Sequence, residues 1–365
     1  MEQALTERVI DLAVAIQQIP APTFSESRRA EFVRQGLEAE RLEDVSMDAT
    51  GNVYARLKSE GSQAALVVSA HLDTVFPAET DLSIQREEGR IAGPGIGDNS
   101  LGVAGLFGLL WALQQDHKPL GRDIWLVANV GEEGLGDLCG MRAVVDRFGS
   151  QAEAYLVLEG MALGQVYHRG LGVRRYRIEI ETQGGHSWVD YGRPSAVHEL
   201  GKLVNQLTQL VLPANPRTTL NVGVIGGGTT VNTIASQAYL ELDLRSESVE
   251  ALAELDAQVQ ALVRAADQQD VRATGVVIGE RPVGEIPREH PLVRHAVECL
   301  ESNGLSARLN IGSTDANVPL SRGLPAVCIG LTNGGGAHTS AEFIHTRPLE
   351  QGLGQLVALV ERLCR

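Results

Sequence analysis

Near-continuous apolar runs of strand length recur in the first part of the chain, at 64–70, 123–130 and 154–158. Unbroken apolarity suits strands whose two faces are both covered by helices. Between the first two runs, 101–113 is a helical apolar stretch that follows a Gly-Asp-Asn turn. Alternating strands and helices of this kind predict an open α/β sheet. In such sheets ligands bind beyond the carboxyl ends of the strands.

Near residue 170 the texture changes. Residues 173–181 alternate with period two, which predicts a strand with one wet face. Val197, Leu200, Leu203, Val204, Leu207, Leu210 and Val211 form one helical stripe. Strand patterns follow at 219–224 and 238–245, then a second stripe through Leu252, Leu255, Val259, Leu262 and Val263, then a closing strand at 271–278. The order β-α-β-β-α-β is that of a ferredoxin-like split. After Pro287 the first texture returns, with a helix at 291–301, a buried strand at 326–331 and a final amphipathic helix at 349–363. The expectation is a mixed-sheet α/β catalytic domain, discontinuous over 1–168 and 284–365, carrying an inserted α+β domain over 169–283.

Composition narrows the partners. The net charge of −15 argues against nucleic acid or an anionic membrane surface as the main partner. The start, Met1-Glu-Gln-Ala-Leu5, reads as an acidic amphipathic helix and not as a secretory leader. No stretch is expected to reach the ~20 apolar residues that span a bilayer. Cys139, Cys299, Cys328 and Cys364 are dispersed without CxxC spacing, as small buried thiols in a reducing compartment would be. A cytoplasmic protein is the expectation.

The candidate chemistry sits at the ends of the predicted strands. His71 and Asp73 follow the first run, Glu132 and Glu133 the second, and Glu159 the third. Asp98 lies in the Gly-Asp-Asn turn and His338 in a late Gly-Ala-His-Thr segment. Each residue alone has a plain structural reading, such as a helix cap for Asp98 or a solvated pair for Glu132 and Glu133. Together, two histidines and several carboxylates at strand and loop ends are what a pair of divalent metal ions requires.

The ordered set His71-x-Asp73, Gly97-Asp98-Asn99, Gly131-Glu132-Glu133-Gly134, Glu159-Gly160, Gly184-Gly-His186 and Ala337-His338-Thr339 resembles the di-zinc exopeptidases and amidohydrolases. Aminoacylase, peptidase T and the glutamate carboxypeptidases belong to that family. The resemblance implies that His71 and Glu159 hold one metal and Glu133 and His338 the other, with Asp98 bridging and Asp73 orienting His71. It also implies Glu132 as general base toward a zinc-bound hydroxide, and a cis peptide between Asp98 and Asn99. His186 would stabilise the oxyanion from a partner subunit, while Asn232 and Arg245 would bind the substrate's carboxylate. For Arg245 a plain surface ion pair is the rival reading. The segments 312–317 and 334–336 would line the cleft.

These implications converge on a metal-dependent exopeptidase, such as a carboxypeptidase, acting on short peptides. Two divalent ions are expected, zinc first, with cobalt or manganese as alternatives. An N-acyl-amino-acid deacylase would use the same site. Position 159 bears on the choice, because many peptidases of this family carry Asp there and the acylases tend to carry Glu. An inactive binding homologue is the third reading, expected to lack a ligand or the base. A homodimer through the inserted domain is expected, with no nucleic acid and no membrane.

Overall fold

The computed structural model describes residues 3–61, 63–116 and 118–365. Met1 and Glu2, at the head of the expected acidic helix, lie outside them. The first stretch runs α1 (Gln3–Gln17), α2 (Ser27–Ala39), β1 (Glu43–Met47), β2 (Val53–Leu57), β3 (Gln63–His71), β4 (Gln85–Glu87) and β5 (Arg90–Ala92). It continues through α3 (Leu101–Asp116), β6 (Arg122–Asn129), α4 (Cys139–Phe148), β7 (Ala152–Glu159) and β8 (Gln165–Gly170). Next come β9 (Gly172–Thr182), β10 (Gly185–His186), α5 (Ala196–Thr208), β11 (Thr218–Gly227), β12 (Thr233–Ile234), β13 (Gln237–Ser246), α6 (Val249–Ala266) and β14 (Val271–Arg281). The chain closes with β15 (Gly284–Glu285), α7 (Pro291–Ser302), β16 (Arg308–Gly312), α8 (Asn317–Ser321), β17 (Ala326–Gly330), β18 (Gly334–Gly335), β19 (Phe343–His345) and α9 (Leu349–Leu363). Two compact units result: Met1–Gly170 with Gly284–Arg365, and Leu171–Val283.

The first unit is built on a mixed sheet of order β1-β2-β6-β3-β7-β17-β8-β15, with β16 added on β8. At its centre β6, β3, β7 and β17 are mutually parallel. β2 joins β6 antiparallel, and β8 joins β17 antiparallel. The central strands are buried on both faces, as at Leu66, Val67 and Val68 of β3 and Tyr155 to Leu158 of β7. Helix α3 packs on β3, α1 and α9, and is apolar all round because it has no wet face. The segment Ile96–Gln115 is long and apolar enough to cross a membrane by composition, contrary to the expectation that none would be. In its most apolar 18-residue window 94% of the residues are buried inside the fold, as the core helix α3 and the turn before it require.

Several strands were not foreseen. β1 and β2 mix polar and apolar positions, and β4, β5, β18 and β19 have too few residues to show a period. These last four form a small separate sheet of order β18-β19-β5-β4.

The second unit is an antiparallel sheet of order β11-β13-β9-β14 with α5 and α6 packed on it and on each other. Tyr176, Ile178, Ile180, Leu240 and Leu242 face a core shared with Leu200, Leu203, Leu255 and Val259. The intervening side chains pair by charge, Arg175 with Asp243 at 3.0 Å and Arg177 with Glu241 at 3.1 Å. The strand alternation read in the sequence is therefore the division between helix-covered and open faces. A short ribbon, β10 with β12, extends from this sheet.

Candidate metal centre

Because β6, β3 and β7 are adjacent and parallel, their carboxyl ends open on one edge of the sheet. β3 ends at His71 and β7 at Glu159, while β6 ends at Asn129, opposite His71, and leads into Glu132 and Glu133. Asp98 comes from the turn between β5 and α3, where the Asp98–Asn99 peptide is cis. His338 follows β18 and holds a left-handed backbone, φ 64°.

Five side chains converge there. Nε2 of His71 lies 3.2 Å from Oδ1 of Asp98 and 3.7 Å from Oε2 of Glu159. Nε2 of His338 lies 3.1 Å from Oδ2 of Asp98 and 3.1 Å from Oε1 of Glu133. His71, Asp98 and Glu159 form one triplet, and Asp98, Glu133 and His338 a second, each with ligand atoms within 4.8 Å of one another. Asp98 is common to both, one oxygen toward each histidine.

The electrostatics of this cluster fit divalent cations. Three carboxylates have only imidazoles as charge partners in these contacts. Burial opposes a charge on His71, but Asp73, Asp98 and Glu159 outweigh it and raise its pKa well above the usual histidine range. Hydrogen bonds to Asp98 and Glu133 push His338 up to about 10. Burial pushes Glu159 up to about 7 against the pull of His71. Asp98, though partly buried, is held below the usual carboxylate range by the two histidines. Protons thus offset excess negative charge where cations could do so, and the nitrogen-and-oxygen donor set suits zinc, cobalt or manganese.

A buried outer layer fixes these groups. Nδ1 of His71 bonds the main-chain oxygen of Asp73 at 3.1 Å, which leaves Nε2 for the cluster. The Asp73 carboxylate stands 3.5 Å from that ring and accepts the N–H groups of Glu132 at 3.0 Å and Glu133 at 2.9 Å. Thr23 donates to it at 2.8 Å. Asn99 donates to the Leu158 carbonyl and accepts from Gly160 N–H at 3.0 Å, tying the Asp98 turn to the end of β7. Residue 160 must be glycine, since a Cβ there would lie 2.0 Å from the Gly97 oxygen.

Sequence reasoning missed several members of this layer. The Glu342 carboxylate accepts three N–H groups, from Gly95 at 3.1 Å, Gly97 at 2.7 Å and Asp98 at 2.8 Å. Glu26 accepts from Gly131 at 3.2 Å. Arg29 is buried and donates to the carbonyls of Ile19 and Leu72. Burial pushes Arg29 down to about 10, with Asp73 and Glu26 opposing. Asp315 accepts from Asn129 at 2.7 Å. Glu342, Glu26 and Arg29 carry no local pattern, because the groups they hold at Gly95, Gly131 and Leu72 lie 43 or more positions away in sequence, whereas Asp315 falls in the 312–317 segment expected to line the cleft.

His186, Asn232 and Arg245 all belong to the second unit. The β10–β12 ribbon brings the first two together: His186 pairs with Thr233, and Ser187 N–H donates to the Asn232 carbonyl at 3.0 Å. Trp188 and Tyr191, beside His186, are almost fully exposed. Arg245 is not gathered with them. It lies at the far end of β13, about 27 Å along the strand from Gln237, and its Nε bonds Asp243 at 2.7 Å.

The profile of peptidase family M20/M25/M40 matches residues 67–362. The uncharacterized protein YqjE of Bacillus subtilis (strain 168) is 23% identical, over 97% of this chain and 96% of its own. An acetylornithine deacetylase of Erwinia tasmaniensis is 26% identical, over 88% of this chain and 87% of its own. Among solved structures, aminopeptidase PepT from Bacillus cereus ATCC 10987 superposes with a TM-score of 0.81 at 22% identity, covering 99% of both chains.

Proposed function

This chain belongs to peptidase family M20/M25/M40, a family of metal-dependent hydrolases of C–N bonds, and from that premise we propose that it is an exopeptidase. Its substrate in this reading is a short peptide, cut at the amide bond next to a free terminus. His71 and Glu159 would hold one divalent cation, Glu133 and His338 a second, and Asp98 both. The observation that carries this reading is Asp98, whose two oxygens lie 3.2 Å from His71 and 3.1 Å from His338.

Bound there, the cations would supply Lewis acidity to the scissile carbonyl and to the attacking water. Glu132 takes the water's proton and passes it to the leaving amine nitrogen. Asp73 holds Glu132 and Glu133 in place through their main-chain N–H groups. His186 of a second copy donates to the carbonyl oxygen as it gains charge. Asn232, on the same ribbon as His186, receives the substrate's free carboxylate. Arg245, paired with Asp243 at the far end of β13, has no part in that binding in this reading.

A homodimer through the second unit supports that role for His186. Both edge strands of its sheet leave apolar side chains exposed, Val224 and Ile225 on β11 and Val276 and Val277 on β14. The four cysteines are free, as a reducing, cytoplasmic setting would have them.

A second reading, an N-acyl-amino-acid deacylase, is favoured by Glu159 and by the relative named acetylornithine deacetylase. Zinc-, cobalt- and manganese-reconstituted protein assayed on dipeptides, tripeptides and N-acyl amino acids separates the two. The exopeptidase reading requires turnover of peptides and little or none of N-acetyl amino acids. The reverse preference would assign the deacylase.

A further inference from the structure

The segment that supplies His338 reaches the Asp98 turn a second time. Glu342, four residues on and fully buried, places Oε1 against the N–H groups of Gly97 and Asp98 and Oε2 against that of Gly95. Its own carbonyl accepts the Gly93 N–H at 2.8 Å, and its N–H donates to Thr339 at 3.2 Å. The Asp98 turn is therefore gripped from both sides of the Glu342 residue, side chain and main chain.

Three converging N–H groups make a concave, positively polarised nest. A carboxylate fills such a nest with both oxygens, where an amide offers one oxygen and a clashing N–H pair. We infer that Glu342 is a positioning residue that sets the Asp98 turn, so that one Asp98 oxygen faces His71 and the other His338 before any cation binds. The inference rests on the two-cation reading of the site. A single carboxylate outside the ligand set thereby governs both metal positions, because Asp98 serves both.

Cobalt titration of the metal-free wild-type protein and of Glu342→Gln tests this, followed by calorimetry and by the visible absorption of bound cobalt. Thermal melting of both metal-free proteins runs alongside. The variant is expected to bind both ions at least about tenfold more weakly and with an altered spectrum, while its metal-free melting temperature stays within a few degrees. Equal affinities with an unchanged spectrum would overturn the inference. Should the variant not fold, hydrogen exchange on the metal-free wild type decides. Protection of the Gly97 and Asp98 amides at the level of α3 supports the anchor, and exchange as fast as in exposed loops refutes it. Wild-type protein that binds no cobalt would instead remove the two-cation reading, and the exchange result would still judge Glu342.

Discussion

Asp73 carries Glu133 by its main chain: the Asp73 carboxylate accepts the Glu133 N–H at 2.9 Å, within a site where both residues are buried. The neighbouring Glu132 N–H binds the other oxygen at 3.0 Å. One anion thus aims two more through their main chain. In Asp73→Asn one oxygen is lost and an amide N–H is turned toward a main-chain N–H. Metal affinity is expected to fall about 10- to 100-fold, read by competition with a chromogenic chelator. An unchanged affinity would leave Asp73 with a packing role only.

Glu132 is separated from the metal-holding set by its assigned task. Glu132→Gln is expected to keep two cations per chain and to lose roughly 10²–10⁴-fold in kcat. Metal content by plasma emission and steady-state rates on the same preparation check this. Full activity at full metal content would take Glu132 out of the mechanism.

The role given to His186 makes the active unit a dimer. His186→Ala and Glu132→Gln should each be nearly inactive, and mixing them after mild dissociation should restore activity. Half the dimers at equal mixing are hybrids with one competent site, so about a quarter of wild-type activity is expected. If the mixture stays as inactive as its parts, His186 does not act across subunits.

The raised histidines predict a proton count. At pH 8 metal-free His338, pushed up to about 10, carries a proton that coordination must expel. His71 is raised as well and adds to the release. Glu159, at about 7, is mostly ionised at that pH and adds little. Apparent affinity should therefore rise with pH up to about 10, because free protons compete with the cation below it. Calorimetry in buffers of different ionisation enthalpy should show at least one proton released per chain. Zero release would mean that these histidines bind no metal.

Much of the site was legible because parallel strands print themselves as apolar runs, and their carboxyl ends are where function collects. His71, Glu132, Glu133 and Glu159 sit at such ends, and the structure brings His71, Glu133 and Glu159 together with Asp98 and His338. The inserted unit was legible for a different reason. One covered face and one open face force period-two strands, as along β9. The outer layer was hidden because a buried Glu342 or Arg29 looks in sequence like any surface charge. Only the fold brings Glu342 to Asp98 across 244 positions. Asp73 was legible as a partner of His71, yet its grip on the Glu132 and Glu133 amides depends on the packing of β3 beside β6.

Anomalous diffraction from crystals of metal-loaded protein, collected at the zinc edge, tests the central claim most directly. Two peaks are expected, one beside each Asp98 oxygen and ~3.5–4 Å apart, the first against His71 and Glu159 and the second against Glu133 and His338. A single peak, or none within reach of Asp98, would contradict the account.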